Sequence, residues 1–242
     1  MTDLIPTRVH NLIIVDESGS MECIRKQAFT GMNETLQTVR MMQKKYPHQL
    51  QYVTLITFDS DHTKMHYDNT LADKTTDLKW KAYNPCAATP LYDAIGKGVS
   101  KVNAQVEEGD HVLVTIITDG YENASRTWSG HQIKSLVQEL RQMGWTFTYI
   151  GADQDVEKVA GEIGVQNSLR FSANAEETQA MFEKERRSRS KFYSKVCCDM
   201  ASPCASMVES NDYCADDDEP VVRPQEPEPK KNGLLDKLFG KK

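Results

Sequence analysis

Residues 9–20 read VHNLIIVDESGS, and this stretch decides the fold. Its mostly apolar first half, residues 9–15, predicts a buried strand, and residues 16–20 predict a tight turn at the carboxyl end of that strand. Apolar residues then recur three or four positions apart from Ile24 to Val39, which predicts an amphipathic helix that stops before Pro47. A strand that leads through a turn into a helix is the opening of an alternating α/β domain.

The same alternation continues along the chain. Residues 112–118 form an almost continuous apolar run, which is typical of a central parallel strand that is covered on both faces. We therefore predict a Rossmann-like α/β fold, with a doubly wound, mostly parallel sheet flanked by helices. Further strands are expected at residues 51–58, 64–67, 145–150 and 168–171, and further helices at 91–102, 133–143, 156–163 and 175–196.

Composition divides the chain into three parts. We expect a folded domain over residues 1–196 and a disordered acidic, Pro-rich linker over residues 197–232. Residues 233–242 read GLLDKLFGKK and predict a short amphipathic peptide. This peptide would either enter the groove of a partner protein or make weak peripheral contact with an anionic membrane surface; the alternative is a frayed, solubilising tail. Its candidate contact residues share one helical face: Leu234, Leu235, Leu238 and Phe239.

Charge and cysteine content restrict the class of protein. The net charge of −6 argues against a general nucleic-acid binder. We find no secretory signal and no apolar run of about 18 residues, so we expect no transmembrane segment. The six cysteines do not form the dense framework of a small secreted protein, and we predict a cytoplasmic protein with reduced thiols.

Hydroxyl and carboxylate residues follow the predicted strands at the edge where ligands bind in open α/β sheets. They are Asp16, Ser18, Ser20, Thr89 and Asp119. Hard oxygen ligands suit Mg²⁺, with Mn²⁺ as an alternative. Because the hydroxyls are neutral, the ion would stay electrophilic, and an Asp or Glu carboxylate of a partner protein would complete its coordination. The alternative is that these residues only cap helices.

The order Asp-x-Ser-x-Ser, then Thr, then Asp-Gly resembles the metal-ion-dependent adhesion site of von Willebrand factor A-type domains. The resemblance covers roughly residues 8–195 and implies a bound Mg²⁺ and the recognition of protein ligands. By the pattern of that family, Ser18, Ser20 and Thr89 contact the metal directly or conditionally, whereas Asp16 and Asp119 act mostly through water. The chain resembles intracellular bacterial members, which implies a link to stress-response clusters, AAA-type ATPases or conflict with phage.

We therefore predict a non-enzymatic, metal-dependent protein-recognition module. We find no Gly-x-Ser-x-Gly, phosphate-loop or His-Glu-x-x-His motif. Two alternatives stay open, a scaffold that is recruited mainly through the C-terminal peptide and a metal-assisted phosphoesterase. Asp93 lies at the predicted start of a helix. It could influence the site electrostatically, but a favourable interaction with the helix dipole explains an acidic residue there equally well. The tail cysteines are irregularly spaced, so reduced, unstructured thiols are the default interpretation and metal binding is the alternative. The histidines, His62 and His66 included, are scattered and are interpreted as polar surface residues.

Overall fold

The computed structural model describes residues 6–119, 121–151, 155–170, 175–201 and 213–214. One sheet of six strands in the order β3-β2-β1-β4-β5-β6 forms the centre of the domain. Five of these strands are parallel, and β3 runs antiparallel at the edge. The predicted fold class, a mostly parallel sheet flanked by helices, is confirmed. The strands are β1 (Thr7–Asp16), β2 (Gln49–Phe58), β3 (Thr63–Leu71), β4 (His111–Thr118), β5 (Thr146–Gly151) and β6 (Asn167–Arg170).

Helices cover both faces of the sheet, because alternate residues of each strand point to opposite sides. Leu12 and Ile14 of β1 pack into the core on the side of α2, α3 and α4. Ile13 and Val15 pack on the other side, under α1 and α5. This double burial explains the near-continuous apolar runs of β1 and β4. The helices are α1 (Arg25–Lys45), α2 (Leu91–Asn103), α3 (Gly130–Gln142), α4 (Val156–Glu162) and α5 (Ala175–Ala201).

The close approach of α1 and α5 depends on Gly31. A Cβ atom built at this glycine would lie 1.7 Å from the ring of Phe182, so any larger residue would require the ring, or the helix that carries it, to move. The last helix is therefore seated directly on α1, at the face of the sheet that also carries Ile13.

Several boundaries differ from the predicted ones. A short 3-10 helix, Gly19–Ile24, precedes α1, and β3 is longer than the predicted edge strand. The last helix continues to Ala201, beyond the predicted domain end at residue 196. Tyr213, inside the predicted linker, is buried against Phe192, and its hydroxyl donates to Glu185 Oε1 at 3.1 Å. Composition did not reveal this contact, because it depends on a single aromatic side chain in a polar segment.

The predicted C-terminal peptide lies outside the described residues, as does most of the predicted linker. Within the described ranges, none of the helices combines the length and the apolar character that a bilayer-spanning segment requires.

Candidate functional site

The candidate site lies at the carboxyl edge of the sheet, where β1 and β4 run side by side. Val15 is the register partner of Ile117 in this parallel pair. Asp16 is the last residue of β1, and Asp119 directly follows β4. The two carboxylates that sequence reasoning placed in one site therefore emerge at the same edge of the sheet.

Hydrogen bonds join four of the five predicted site residues. The hydroxyl oxygens of Ser18 and Ser20 lie 3.2 Å apart, and the hydroxyl of Ser20 donates to Asp119 Oδ1 at 2.8 Å. The backbone N–H of Ser18 donates to Asp16 Oδ1 at 2.7 Å. Asp16 and Ser18 are buried whereas Ser20 is exposed, so the group has a closed base and an open mouth.

Thr89 reaches the same edge on the loop that precedes α2. Two backbone hydrogen bonds fasten this loop to the turn after β1: Gly19 N donates to Ala87 O at 3.0 Å, and Cys86 N donates to Glu17 O at 2.8 Å. Thr89 itself is buried.

The electrostatics at the base of the site favour a cation. Burial, with a smaller contribution from the charge of Asp119, raises the pKa of Asp16 from 3.8 to about 6. Hydrogen bonds from Thr118 and Ser18 act in the opposite direction; the Thr118 hydroxyl donates to Asp16 Oδ2 at 2.6 Å. Because a nearby cation stabilises an ionised carboxylate, a divalent ion at this position would offset the burial of Asp16.

The donor set fits Mg²⁺. It consists of serine and threonine hydroxyls with two carboxylates behind or beside them, which are the hard oxygen ligands that this ion prefers. Hydroxyl oxygens 3.2 Å apart can both face one ion. Both oxygens of Asp16 already accept hydrogen bonds, so this carboxylate is oriented to act through its neighbours rather than as a free ligand.

A second loop, which sequence reasoning did not single out, holds Thr89 in place. Asn123 Oδ1 accepts from Thr89 N at 2.8 Å, and Asn123 N donates to Thr89 O at 3.1 Å. Glu122 Oε2 accepts from Tyr92 N at 2.9 Å, while Oε1 accepts from the backbone of its own loop. A run of Glu, Asn and Ser after a strand is a signal for such local side-chain-to-backbone bonds, although it does not reveal the distant partner.

Asp93 fastens the other end of this loop. Its carboxylate accepts hydrogen bonds from the backbone N–H groups of Arg126, Thr127 and Trp128, at 2.9, 2.9 and 2.8 Å. Asp93 lies in the first turn of α2, as the helix-dipole interpretation requires, but its hydrogen bonds give it a further role that neither interpretation described. The residue caps the loop of residues 126–128 from the first turn of α2.

An open cleft of about 970 Å³ adjoins Thr89. Its walls come from the loop after β2, the start of α2 and the loop of residues 123–128. Both charge signs and an indole ring line it, including Asp61, Lys97, Arg126 and Trp128. The cleft therefore lies directly beside the oxygen-rich crevice of Asp16, Ser18, Ser20 and Asp119. The candidate partner-binding residues of the C-terminal peptide lie outside the described part of the chain.

A mostly parallel α/β sheet with an oxygen-rich crevice at the carboxyl ends of its strands defines a Rossmann-like domain, a class of fold in which ligands bind at that edge. The sequence pattern of the von Willebrand factor type A domain matches residues 12–185. The chain belongs to this family, whose domains are protein-interaction modules.

Solved structures share the fold at low sequence identity. The vWF domain of the type V pili tip protein Mfa5 from Porphyromonas gingivalis superposes with a TM-score of 0.54 at 11% identity, covering 78% of this chain and 97% of that one. The pilus adhesin SpaC from Lactobacillus rhamnosus GG, in its open conformation, gives a TM-score of 0.57 at 15% identity, covering 79% of this chain and 31% of that one. A search of curated proteins found no match.

Proposed function

We propose that the chain is a metal-dependent recognition module, in which Mg²⁺ at Asp16, Ser18, Ser20, Thr89 and Asp119 captures an Asp or Glu carboxylate of a partner protein. One observation carries the proposal: the hydroxyls of Ser18 and Ser20 and the carboxylate of Asp119 form a continuous chain of hydrogen bonds at the mouth of the crevice. When bound, the ion would supply a Lewis-acidic coordination position for an incoming carboxylate.

The residues of the chain support this role through the way they distribute charge. Asp16 is held from both sides, by Ser18 N and by the Thr118 hydroxyl, so its charge lies beneath the hydroxyl ligands. The groups between Asp16 and the mouth are the neutral hydroxyls of the buried Ser18 and the exposed Ser20, together with the half-buried Asp119. Such a site neutralises a divalent ion only in part, which leaves affinity for one more anionic ligand.

The cleft beside Thr89 would supply specificity. A carboxylate bound at the mouth would bring the neighbouring residues of the partner over the cleft, where Lys97 and Arg126 offer positive charge and Trp128 offers an aromatic surface. Metal coordination gives the contact its anchor, while complementary side chains select the partner. The predicted cytoplasmic location, the bacterial source and the link to stress response stay predictions.

The metal is tested first. Isothermal titration of the purified chain with Mg²⁺ and Mn²⁺ should show one site that is lost in Ser20→Ala. Ser190→Ala is the matched control, because the Ser190 hydroxyl donates to Arg186 O within α5, away from the site. If Ser20→Ala binds both ions as tightly as wild type does, the proposed ligand set is wrong.

The partner is tested next, by affinity capture from a lysate of the source in Mg²⁺ and in EDTA. A partner that binds wild type and Ser190→Ala, and is lost both in EDTA and with Ser20→Ala, supports capture through the metal. Replacing acidic residues of that partner one at a time should identify a single carboxylate whose loss abolishes binding. A partner that is retained under all conditions overturns the proposal and moves recognition to another surface.

A further inference from the structure

A second cluster of metal-ligating side chains lies beside the proposed Mg²⁺ site of Asp16, Ser18, Ser20, Thr89 and Asp119, which is called the adhesion site below. A carboxylate oxygen of Glu17, a carboxylate oxygen of Asp59 and a ring nitrogen of His62 lie within 4.8 Å of one another. Glu17 follows β1, whereas Asp59 and His62 belong to the loop after β2. Because β1 and β2 are parallel neighbours, residues that are 42 positions apart meet at the same edge of the sheet.

Glu17 contributes an oxygen atom that lacks a partner. The residue is fully buried, and its Oε1 accepts from Lys64 Nζ at 3.0 Å and from Asn84 N at 2.6 Å. Its Oε2 is buried and has no hydrogen-bond partner among the described residues. A buried carboxylate oxygen without a donor is destabilising, and a bound cation is one of the few groups that can satisfy it.

Asp59 is oriented by its own loop. Its Oδ1 accepts from Asp61 N at 2.7 Å and from His62 N at 2.9 Å. The same oxygen lies 2.8 Å from His62 Nδ1, and Oδ2 contacts the Cys86 thiol at 3.5 Å. The backbone bonds thus fix the carboxylate, while Oδ2 makes one long contact with the thiol, which a metal ion bound to Oδ2 can replace.

We propose that Glu17, Asp59 and His62 form a second metal site that binds a borderline divalent transition metal such as Zn²⁺. The imidazole nitrogen and the neighbouring thiol favour such an ion over Mg²⁺, which prefers oxygen ligands and retains its waters. Two carboxylates beside one lysine leave a net negative charge for the ion to balance. The side chain of His62 is 37% exposed, so the ion reaches the site from the cleft.

This site is separate from the adhesion site, although the two share one turn. The side chain of Asp16 contacts Thr118 at the end of β4, whereas that of Glu17 contacts Lys64 in β3, on the opposite side of β1. The two sites are joined through backbone: Ser60 N donates to Ala88 O at 3.0 Å, and Ala88 N donates to Ser60 Oγ at 3.1 Å. A metal ion on Asp59 and His62 would therefore stiffen the loop that lies against the residue before Thr89.

The test is Zn²⁺ binding to the full chain in excess Mg²⁺, with the bound metal counted after equilibrium dialysis. His62→Ala should bind one Zn²⁺ fewer than wild type, or bind that ion at least about tenfold more weakly. His48→Ala is the matched control, because His48 is exposed and its carbonyl bonds to Thr7 N at the amino end of β1. Any Zn²⁺ held by the tail cysteines is common to all these variants and cancels in the difference.

Two further measurements separate this site from the adhesion site. Ser20→Ala should keep the additional Zn²⁺, and Co²⁺ should give a visible d–d spectrum in wild type and in Ser20→Ala that is lost in His62→Ala. Glu17→Gln should weaken the same spectrum. Equal Zn²⁺ counts in wild type and His62→Ala, or the loss of the additional ion in Ser20→Ala, overturns the inference; the latter result would place the ion at the adhesion site.

Discussion

Replacing Asp16 by Asn should stabilise the metal-free protein at neutral pH, although it removes a residue of the proposed metal site. The pKa of this carboxyl is about 6 in the folded chain against an ordinary value of 3.8. That difference corresponds to a penalty of about 3 kcal/mol when the group is ionised in the folded state. Asn removes the charge while it keeps an oxygen that accepts from Ser18 N, so most of this penalty should disappear.

The sign of the pH dependence follows from the raised pKa. The penalty is absent below pH 3.8, grows as the pH rises from there to about 6 and is fully present above that value. In EDTA, the free energy of unfolding of Asp16→Asn should therefore exceed that of wild type by about 3 kcal/mol at pH 7.5 and by about half as much at pH 5. The difference between the two proteins cancels the titration of the other carboxyls.

Urea unfolding in EDTA at both pH values measures this effect, and Asp73→Asn on the exposed surface is the control, for which no gain is expected. In saturating Mg²⁺ the order should reverse, because wild type gains binding free energy that the variant lacks. A variant that is less stable than wild type in EDTA at pH 7.5, or a gain that does not change with pH, would show that the buried charge of Asp16 does not destabilise the metal-free fold.

Three further predictions concern polar contacts within the domain. Thr118→Val removes the hydroxyl that donates to Asp16 Oδ2, so Mg²⁺ affinity measured by calorimetry should fall about 10- to 100-fold; unchanged affinity would show that this hydrogen bond does not tune the site. Asp93→Asn leaves one oxygen for three backbone donors and should lower the free energy of unfolding by about 1.5–3 kcal/mol, with faster hydrogen exchange at residues 126–128. Hydrogen exchange that becomes faster elsewhere but not at residues 126–128 would contradict this role. Arg189→Met leaves the buried Glu185 without its partner at 2.7 Å and should destabilise by about 3–5 kcal/mol in urea unfolding, whereas the double variant with Glu185→Leu should recover most of the loss; a double variant as unstable as the single one would contradict the ion-pair argument.

The sequence was sufficient for the fold class because the strands are apolar on both faces. The apolar run of residues 112–118 is typical of a strand that is covered on both faces, and the predicted turn at residues 16–20 marked the edge where β1 ends. The positions of Asp16, Ser18, Ser20 and Asp119 followed from this geometry, since loops at the carboxyl ends of adjacent parallel strands must meet. The register and the hydrogen bonds among these residues needed the structure.

Contacts between distant side chains could not be read from local patterns. Arg189 lies in a basic stretch of α5 that looks solvated, yet its side chain is fully buried. It is satisfied by Glu185 four residues earlier and by Thr115 of β4, 74 positions away. A charged residue becomes compatible with the core only when such partners are present, and periodicity does not report them. The same holds for Asp93, whose backbone partners begin 33 positions further along.

Loss of charge at Asp16 and at Glu17, which are consecutive in one turn, should change the stability of the metal-free protein in opposite directions. Asp16 accepts hydrogen bonds from Ser18 N and the Thr118 hydroxyl, and the charge of Asp119 raises its pKa, whereas Glu17 carries an ion pair with Lys64 at 3.0 Å and a bond from Asn84 N. Neutralising Asp16 relieves repulsion and desolvation, but neutralising Glu17 leaves an ammonium and a backbone N–H with a weaker acceptor. We therefore expect Glu17→Gln to destabilise the metal-free protein in the same EDTA assay in which Asp16→Asn stabilises it. Equal signs for the two variants would mean that Lys64 does not offset the buried charge of Glu17.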